Sequence, residues 1–135
     1  MNILIVDDHP SIARVTSVAL GLLGCRTFTT RTTADAARLL STEKVEAIFL
    51  DLNLRGENGL EFLSQLTALE SRTPVVIFTA RFMSEFADEA RRRGAFSYLI
   101  KPFNMDDLRH QLTQIALFHG HREGALISQE RRDNS

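Results

Sequence analysis

The sequence is poor in cysteine, in net charge and in long hydrophobic runs, and each shortage excludes a class of protein. The single cysteine of the 135-residue chain, Cys25, excludes an intrachain disulfide framework and is typical of a reduced cytosol. The formal charge of −1 gives no general attraction to nucleic acid or to anionic membranes. No apolar run approaches the ~18 residues that a transmembrane helix needs, and the first residues do not resemble a signal peptide. The composition therefore predicts one cytoplasmic domain.

Short apolar runs alternate with amphipathic stretches along the chain. The runs that we interpret as strands cover residues 3–6, 25–30, 45–50, 75–79 and 97–100. The stretches that we interpret as helices cover about 10–23, 33–40, 60–69, 83–93 and 104–118. Five strands that alternate with five helices predict an α/β fold, with a parallel sheet, right-handed crossovers and helices on both faces. The remaining residues, 119–135, form a polar tail that is expected to fray and to be partly disordered.

Two of the predicted helices carry apolar residues whose orientation can be tested. In the first helix, the residues at helical spacing, which we expect to face the core, are Ile12, Val15, Ala19, Leu22 and Leu23. In the fourth helix, Phe82 and Phe86 form a stripe separate from that of Met83, Ala87 and Ala90, and both stripes cannot easily face the sheet. An exposed pair of phenylalanines there would indicate a binding surface, whereas a wide core-facing side is the alternative.

Four of the five predicted strands end in a reactive or ion-binding residue. Asp7 and Asp8 follow the first strand and Asp51 follows the third, while Thr79 and Lys101 end the fourth and fifth. Carboxyl ends of parallel strands meet at one edge of the sheet, where ligands bind in open α/β folds. Three carboxylates within about 5 Å repel by roughly 3 kcal/mol per pair at an effective dielectric constant near 20. The cluster therefore predicts a bound cation, and oxygen ligands with room for water and a phosphate suit Mg²⁺.

Taken together and in this order, these motifs resemble the receiver domain of two-component response regulators. The motifs are the acidic pair, Asp51, Thr79-Ala80, Lys101-Pro102-Phe103 and the aromatic Tyr98 three residues before the lysine, and the resemblance covers about residues 1–118. The resemblance implies a flavodoxin-like, doubly wound five-stranded parallel sheet with strand order 2-1-3-4-5 and five helices. It also implies that the domain is a signalling switch rather than an enzyme.

The resemblance assigns a role to each residue of the motifs. Asp51 would accept the phosphoryl group from a phosphohistidine or a small acyl phosphate. Asp8 would bind Mg²⁺ directly and Asp7 through water, with Asp51 and the backbone carbonyl of Asn53 as further ligands. Asn53 and Arg81 occupy the two variable positions that, in this family, tune the rate of dephosphorylation.

The remaining roles concern the phosphoryl oxygens and the switch. Thr79 and Lys101 would bind the oxygens, and the small Ala80 leaves space for them. Thr79 would move toward the phosphoryl group, and Tyr98 would rotate into the vacated space. A sensor histidine kinase or a histidine phosphotransfer protein would donate the phosphoryl group. A downstream protein would read the surface formed by the fourth helix, fifth strand and fifth helix, without direct contact of this domain with nucleic acid or membrane.

Two details refine the resemblance. Many receivers have proline four residues after the phosphoacceptor, where this chain has Arg55, so the resemblance does not define the shape of that loop, although Gly59 is retained. The Lys101–Pro102 peptide bond is predicted to be cis, because the strand end of receivers needs a sharp turn that aims the lysine at the phosphoryl group.

Three other functions compete with this interpretation. A haloacid-dehalogenase-like phosphatase also uses a strand-end aspartate, but its general acid two residues later is here Asn53, which cannot transfer a proton. A dinucleotide-binding module lacks its Gly-x-Gly-x-x-Gly motif after the first strand. The third alternative is the receiver of a longer DNA-binding transcriptional regulator, whose output domain would need at least ~50 residues beyond this sequence.

Overall fold

A computed structural model describes the backbone of residues 1–69 and 73–133 and the side chains of residues 1–69 and 73–120. Five parallel strands form one sheet: β1 (Asn2–Val6), β2 (Arg26–Thr30), β3 (Ala47–Leu50), β4 (Val75–Ala80) and β5 (Ser97–Lys101). The strand order β2-β1-β3-β4-β5 confirms the predicted doubly wound, flavodoxin-like topology.

Helices connect the strands and cover both faces of the sheet. They are α1 (Pro10–Leu22), α2 (Thr33–Thr42), α3 (Gly59–Ala68), a 3₁₀ segment (Arg81–Phe86) that leads into α4 (Ala87–Arg92), and α5 (Met105–Asp133). Among the described residues, we find no helix that is both long and apolar enough to cross a membrane.

Alternating strand residues supply two separate hydrophobic cores, because successive side chains point to opposite faces. One core combines Leu4, Ile48 and Ile77 with residues of α2, α3 and α4, such as Leu63 and Ala90. The other core contains Ile3, Ile5, Phe49, Val76, Phe78, Leu20 of α1, and Leu108 and Ile115 of α5. The sheet is therefore buried on both faces. The edge at which its strands end in polar residues remains as the place where a ligand can bind.

The prediction for the core-facing side of α1 was partly wrong: Ala19 and Leu23 pack against the second core, but other residues expected there do not. The buried residues of this helix are Ala13, Thr16 and Leu20. Val15 and Leu22, expected in the core, are 68% and 76% exposed. Thr16 can be buried because its hydroxyl donates a hydrogen bond to the carbonyl of Ile12 at 3.0 Å, which satisfies its polar group.

The segment after β4 also differs from the single helix that was predicted over 83–93. Residues 81–86 form 3₁₀ turns, and the α-helix begins only at Ala87. The α-helix starts where acidic residues occupy a first turn and arginines the last, the arrangement that the helix dipole favours. Phe82 is 69% exposed, whereas Phe86 is half-buried against the first core, so the two phenylalanines do not form one exposed pair.

The fifth helix extends beyond its predicted end near Phe118. It continues to Asp133, so the backbone of the polar segment is helical to that residue rather than irregular. Arginine and glutamate recur in that segment, which also holds one alanine and one glutamine, and all four residue types have high intrinsic helix propensity. Just before α5, the Lys101–Pro102 peptide bond is cis, as predicted.

Candidate functional site

The register of the sheet brings the polar strand ends together. Val6 of β1 lies opposite Leu50 of β3, so Asp7 and Asp51, which follow them, leave the sheet side by side. On the other side, Ala80 of β4 lies opposite Lys101 of β5. Asp7 and Asp51 are almost completely buried, which makes their charges costly unless they are paired.

Lys101 pairs with both buried carboxylates. Its Nζ lies 3.0 Å from Asp7 Oδ2 and 3.0 Å from Asp51 Oδ2. The same ammonium group lies 4.4 Å from the centre of the Phe78 ring, a cation–π contact within the second core. The sequence predicted repulsion among the carboxylates, and the lysine offsets much of it. Lys101 is thereby fixed at the place where a phosphoryl group on Asp51 would carry its negative charge.

Hydrogen-bond donors also fix the carboxylate of Asp51. Its Oδ1 accepts a hydrogen bond from the backbone N–H of Asn53 at 2.9 Å and another from the hydroxyl of Thr79 at 3.1 Å. Its Oδ2 accepts from Lys101. Thr79 is completely buried, so its hydroxyl has little freedom to bond elsewhere. The arrangement holds the carboxylate of Asp51 in one orientation, with the ammonium group of Lys101 and the hydroxyl of Thr79 beside it.

Asp8 has one satisfied and one unsatisfied oxygen. Its Oδ2 accepts the backbone N–H of Arg55 at 2.8 Å. Its Oδ1 is shielded from solvent yet has no hydrogen-bond partner. One ligand atom from each of Asp7, Asp8, His9 and Asp51 can be chosen so that all four lie within 4.8 Å of one another. A shielded, unsatisfied oxygen beside two other carboxylates is a suitable ligand for a hard divalent cation, so these residues fit Mg²⁺.

Two features define the shape of the loop after β3: the close approach of Gly59 to Leu52, and a hydrogen bond donated by the backbone N–H of Arg55. A Cβ on Gly59 would lie 2.7 Å from the Cα of Leu52, so only glycine allows α3 to start this close to the loop. The side chain of Asn58 caps α3 by accepting the N–H of Glu61 at 3.1 Å. At Arg55, where many receivers have proline, the N–H that contacts Asp8 is one that proline lacks. The departure at Arg55 thus adds a contact between the loop and the acidic cluster.

The two residues predicted to act as a switch have different partners. Thr79 donates to Asp51, whereas the hydroxyl of Tyr98 donates to the carbonyl of Met83 in the 3₁₀ segment at 2.8 Å. Partial burial raises the pKa of Tyr98, and the negative charge of Asp51 raises it further. Tyr98 therefore stays a neutral hydrogen-bond donor, and it connects β5 to the segment that follows Thr79.

The other predicted site residues lie at the margin of the site. Ala80 directly precedes the 3₁₀ segment, and Arg81 is exposed at the first position of that segment. The side chain of Asn53 is also exposed, while its backbone N–H binds Asp51. The side chains of Asn53 and Arg81 are therefore open to solvent, next to the loop after β3 and the end of β4.

One residue at the site was missed by the sequence analysis. His9 Nδ1 lies 3.0 Å from Asp8 Oδ1 and 3.3 Å from Asp7 Oδ1, and the backbone N–H of His9 donates to Asp7 Oδ1 at 2.9 Å. The signal was its position directly after the acidic pair, but the histidine was assigned no role from the sequence.

Comparisons with known proteins agree with this geometry. The family model described as the response regulator receiver domain matches residues 3–113. The chain is 37% identical over 107 residues to the regulatory protein AtoC of Escherichia coli, covering 79% of this chain and 23% of AtoC. It is 28% identical over 108 residues to sporulation initiation phosphotransferase F of Bacillus subtilis, covering 80% of this chain and 87% of that protein.

A solved structure and the lengths of the relatives complete the comparison. The crystal structure of the receiver domain of NtrX from Brucella abortus superposes with a TM-score of 0.79 at 30% identity, covering 84% of this chain and 96% of that one. The chain spans about a quarter of the length of most of the curated relatives that it matches, which include transcriptional regulatory proteins.

Proposed function

Because this chain belongs to the response regulator receiver domain family, we propose that it is a phosphorylation switch in which Asp51 accepts the phosphoryl group. The observation that carries the proposal is the set of contacts to the Asp51 carboxylate from Thr79, Lys101 and the Asn53 N–H. A carboxylate oxygen of Asp51 attacks phosphorus, forming an O–P bond. The N–P bond of a phosphohistidine breaks, and the imidazole nitrogen leaves with the electron pair. Receiver domains of this kind interact with histidine kinases or phosphotransfer proteins.

We further propose that Asp7, Asp8, Asp51 and the backbone carbonyl of Asn53 hold Mg²⁺. Receiver domains bind Mg²⁺ at an acidic pocket, and the unsatisfied oxygen of Asp8 is the observation in this chain that supports such a site. When bound, the ion neutralises negative charge on the acidic cluster and on the phosphoryl oxygens. Lys101 and Thr79 bind the remaining phosphoryl oxygens, and Ala80 leaves room for them.

The switch would use the contacts of Thr79 and Tyr98. Phosphorylation places nearly two negative charges beside the Thr79 hydroxyl, which would exchange the carboxylate for a phosphoryl oxygen. Tyr98 then rotates inward, which would break its hydrogen bond to the Met83 carbonyl and release the 3₁₀ segment from β5. The exposed side chains of Asn53 and Arg81 tune the lifetime of the phosphoryl group by controlling the approach of water.

The surface for the phosphoryl donor is proposed to include the outward face of α1. This helix begins directly after the acidic pair, and Val15, Val18 and Leu22 on one face are 68%, 56% and 76% exposed. The proposal predicts that Val15→Gln slows transfer from a phosphorylated histidine kinase but not phosphorylation by acetyl phosphate. Leu69→Gln, at another exposed leucine, is the matched control. Equal effects of the two variants would contradict the assignment of α1.

The output surface is proposed to comprise the 3₁₀ segment, α4, β5 and α5. Its exposed apolar residues are Phe82, Ile100 and Leu117, at 69%, 39% and 61% exposure. The 3₁₀ segment follows directly from Thr79 and Ala80, so a movement of the threonine is transmitted to this surface without an intermediate element. The absence of direct nucleic-acid binding by this domain and the cytoplasmic location stay predictions.

A second candidate is that this receiver works within a longer transcriptional regulator. AtoC and the AlgB proteins, which share 36–37% identity with the matched region, are about four times as long as that region, and α5 continues as a helix past the family match to Asp133. Sequencing the gene beyond the codon of Ser135 decides between the two. The family match does not support the phosphatase alternative.

The experiment that tests the main proposal is phosphorylation by acetyl phosphate with Mg²⁺. We expect a mass increase of one phosphoryl group per chain and amide NMR shifts around Asp51, Thr79 and Tyr98. Asp51→Asn should show neither, while its circular dichroism stays that of the parent. An unphosphorylated parent, or a variant that is labelled equally well, refutes the assignment.

A further inference from the structure

His9 occupies a position from which its ring can bind the same cation as the acidic pair. The backbone N–H of His9 is fixed by its hydrogen bond to Asp7 Oδ1, and Pro10 begins α1 immediately afterwards. The His9 side chain is 41% exposed, and its Nδ1 points into the cluster, 3.0 Å from Asp8 Oδ1 and in a 3.3 Å hydrogen bond with Asp7 Oδ1, which a metal ion on Nδ1 would replace.

The short distance between His9 Nδ1 and Asp8 Oδ1 is not a hydrogen bond, because this oxygen has no hydrogen-bond partner although it is shielded from solvent. Neighbouring ligands of a six-coordinate ion with bonds of ~2.1 Å lie about 3.0 Å apart. The two atoms therefore have the separation of adjacent ligands on one ion. The unsatisfied Asp8 oxygen is the second of these ligands.

We propose that His9 supplies a nitrogen ligand to the metal ion at this site, which gives the site a preference for Mn²⁺, Co²⁺ and Zn²⁺ over Mg²⁺. Imidazole is a poor ligand for Mg²⁺, which takes oxygen, and a good one for divalent transition ions. The inference rests on the metal site of the proposed function but not on phosphorylation. A receiver with this histidine would therefore bind these transition ions in preference to Mg²⁺ when several divalent ions compete.

Electron paramagnetic resonance with Mn²⁺ tests the ligand directly. Pulsed measurements on the Mn²⁺-loaded full chain should show coupling to ¹⁴N, which carboxylate and water ligands cannot produce. His9→Gln should abolish the nitrogen coupling. His110→Gln, at an exposed histidine on α5, should preserve it. Absence of the coupling in the parent, or its persistence in His9→Gln, overturns the proposal.

Competition between Mn²⁺ and Mg²⁺ measures the preference. In His9→Gln the affinity for Mn²⁺ should fall at least about tenfold, whereas the affinity for Mg²⁺ should change little. The expected size follows because losing even a residue that only hydrogen-bonds to a metal ligand typically lowers metal affinity ~10–100-fold. An unchanged ratio of the two affinities contradicts the proposal. Asp8→Asn separates the two levels of inference: if it leaves binding of both ions intact, the metal site of the proposed function fails. If it abolishes binding while His9→Gln changes nothing, only the role of His9 fails.

Discussion

Replacing Lys101 by methionine should expose how much of the stability of this domain depends on one cation between two buried carboxylates. The ammonium group is 3.0 Å from an oxygen of each of Asp7 and Asp51, and the three side chains are 14%, 0% and 3% exposed. At an effective dielectric constant near 20, each attraction is worth about 5.5 kcal/mol, while two carboxylates up to 4.8 Å apart repel by at least about 3.5 kcal/mol.

The desolvation of the three charges offsets most of this attraction, so the measured loss should be smaller than the Coulomb sum. Removing one partner of a buried ion pair typically costs about 3–5 kcal/mol, because the remaining charge is left uncompensated. Methionine keeps most of the apolar stem and its packing against Phe78, so the change isolates the charge. We therefore expect Lys101→Met to lower the free energy of unfolding by about 3–5 kcal/mol at neutral pH.

Mg²⁺ should restore part of this loss. In the variant, the ion replaces the missing positive charge and does not have to compete with Lys101 for the carboxylates. The variant should therefore gain more stability from Mg²⁺ than the parent does. Binding at ten times the dissociation constant contributes about 1.4 kcal/mol. Urea unfolding followed by circular dichroism, with and without Mg²⁺, measures both quantities.

Lys44→Met is the matched control, because Lys44 is exposed. The control should change the free energy of unfolding by less than about 0.5 kcal/mol and should respond to Mg²⁺ as the parent does. If Lys101→Met costs less than about 1 kcal/mol, or if its response to Mg²⁺ equals that of the parent, then the lysine does not compensate the carboxylates as the distances indicate.

Three further outcomes are expected. Gly59→Ala should lower the free energy of unfolding by about 1–3 kcal/mol in urea, because the new Cβ would lie 2.7 Å from a backbone carbon. Gly21→Ala, where the added Cβ meets open space, should not destabilise the domain, and equal effects of the two variants would contradict this. Arg55→Pro removes the N–H that donates to Asp8, and it should lower the free energy of unfolding by about 1 kcal/mol more than Arg55→Ala, which keeps this N–H. If the two variants are equally stable, the hydrogen bond to Asp8 contributes nothing. Burial raises the pKa of the Cys25 thiol, so less thiolate is present at about pH 8 in the folded chain. Iodoacetamide should therefore react more slowly with the folded chain than with the urea-unfolded chain, and a faster reaction of the folded chain would refute this.

The arrangement of the sheet and most residues of the site were predictable from residue type and strand direction. Short apolar runs such as those before Asp7 and Asp51 favour strands that are buried on both faces, and the carboxyl ends of parallel strands meet at one edge of the sheet. The five parallel strands and the convergence of Asp7, Asp51, Thr79 and Lys101 were therefore predictable from strand direction. The order of the strands was implied by the resemblance to receiver domains.

Atomic contacts and the core-facing sides of the helices depend on how the elements pack against each other, so they became known from the three-dimensional structure alone. Helical spacing shows that Val15 and Leu22 share a side of α1, but not that the sheet contacts the side with Ala13, Thr16 and Leu20, since local periodicity contains no information on the direction of approach. The approach of His9 to Asp8 likewise depends on a backbone hydrogen bond and on where α1 begins. Such distances of a few ångströms are set by packing across the sheet, which no stretch of sequence contains.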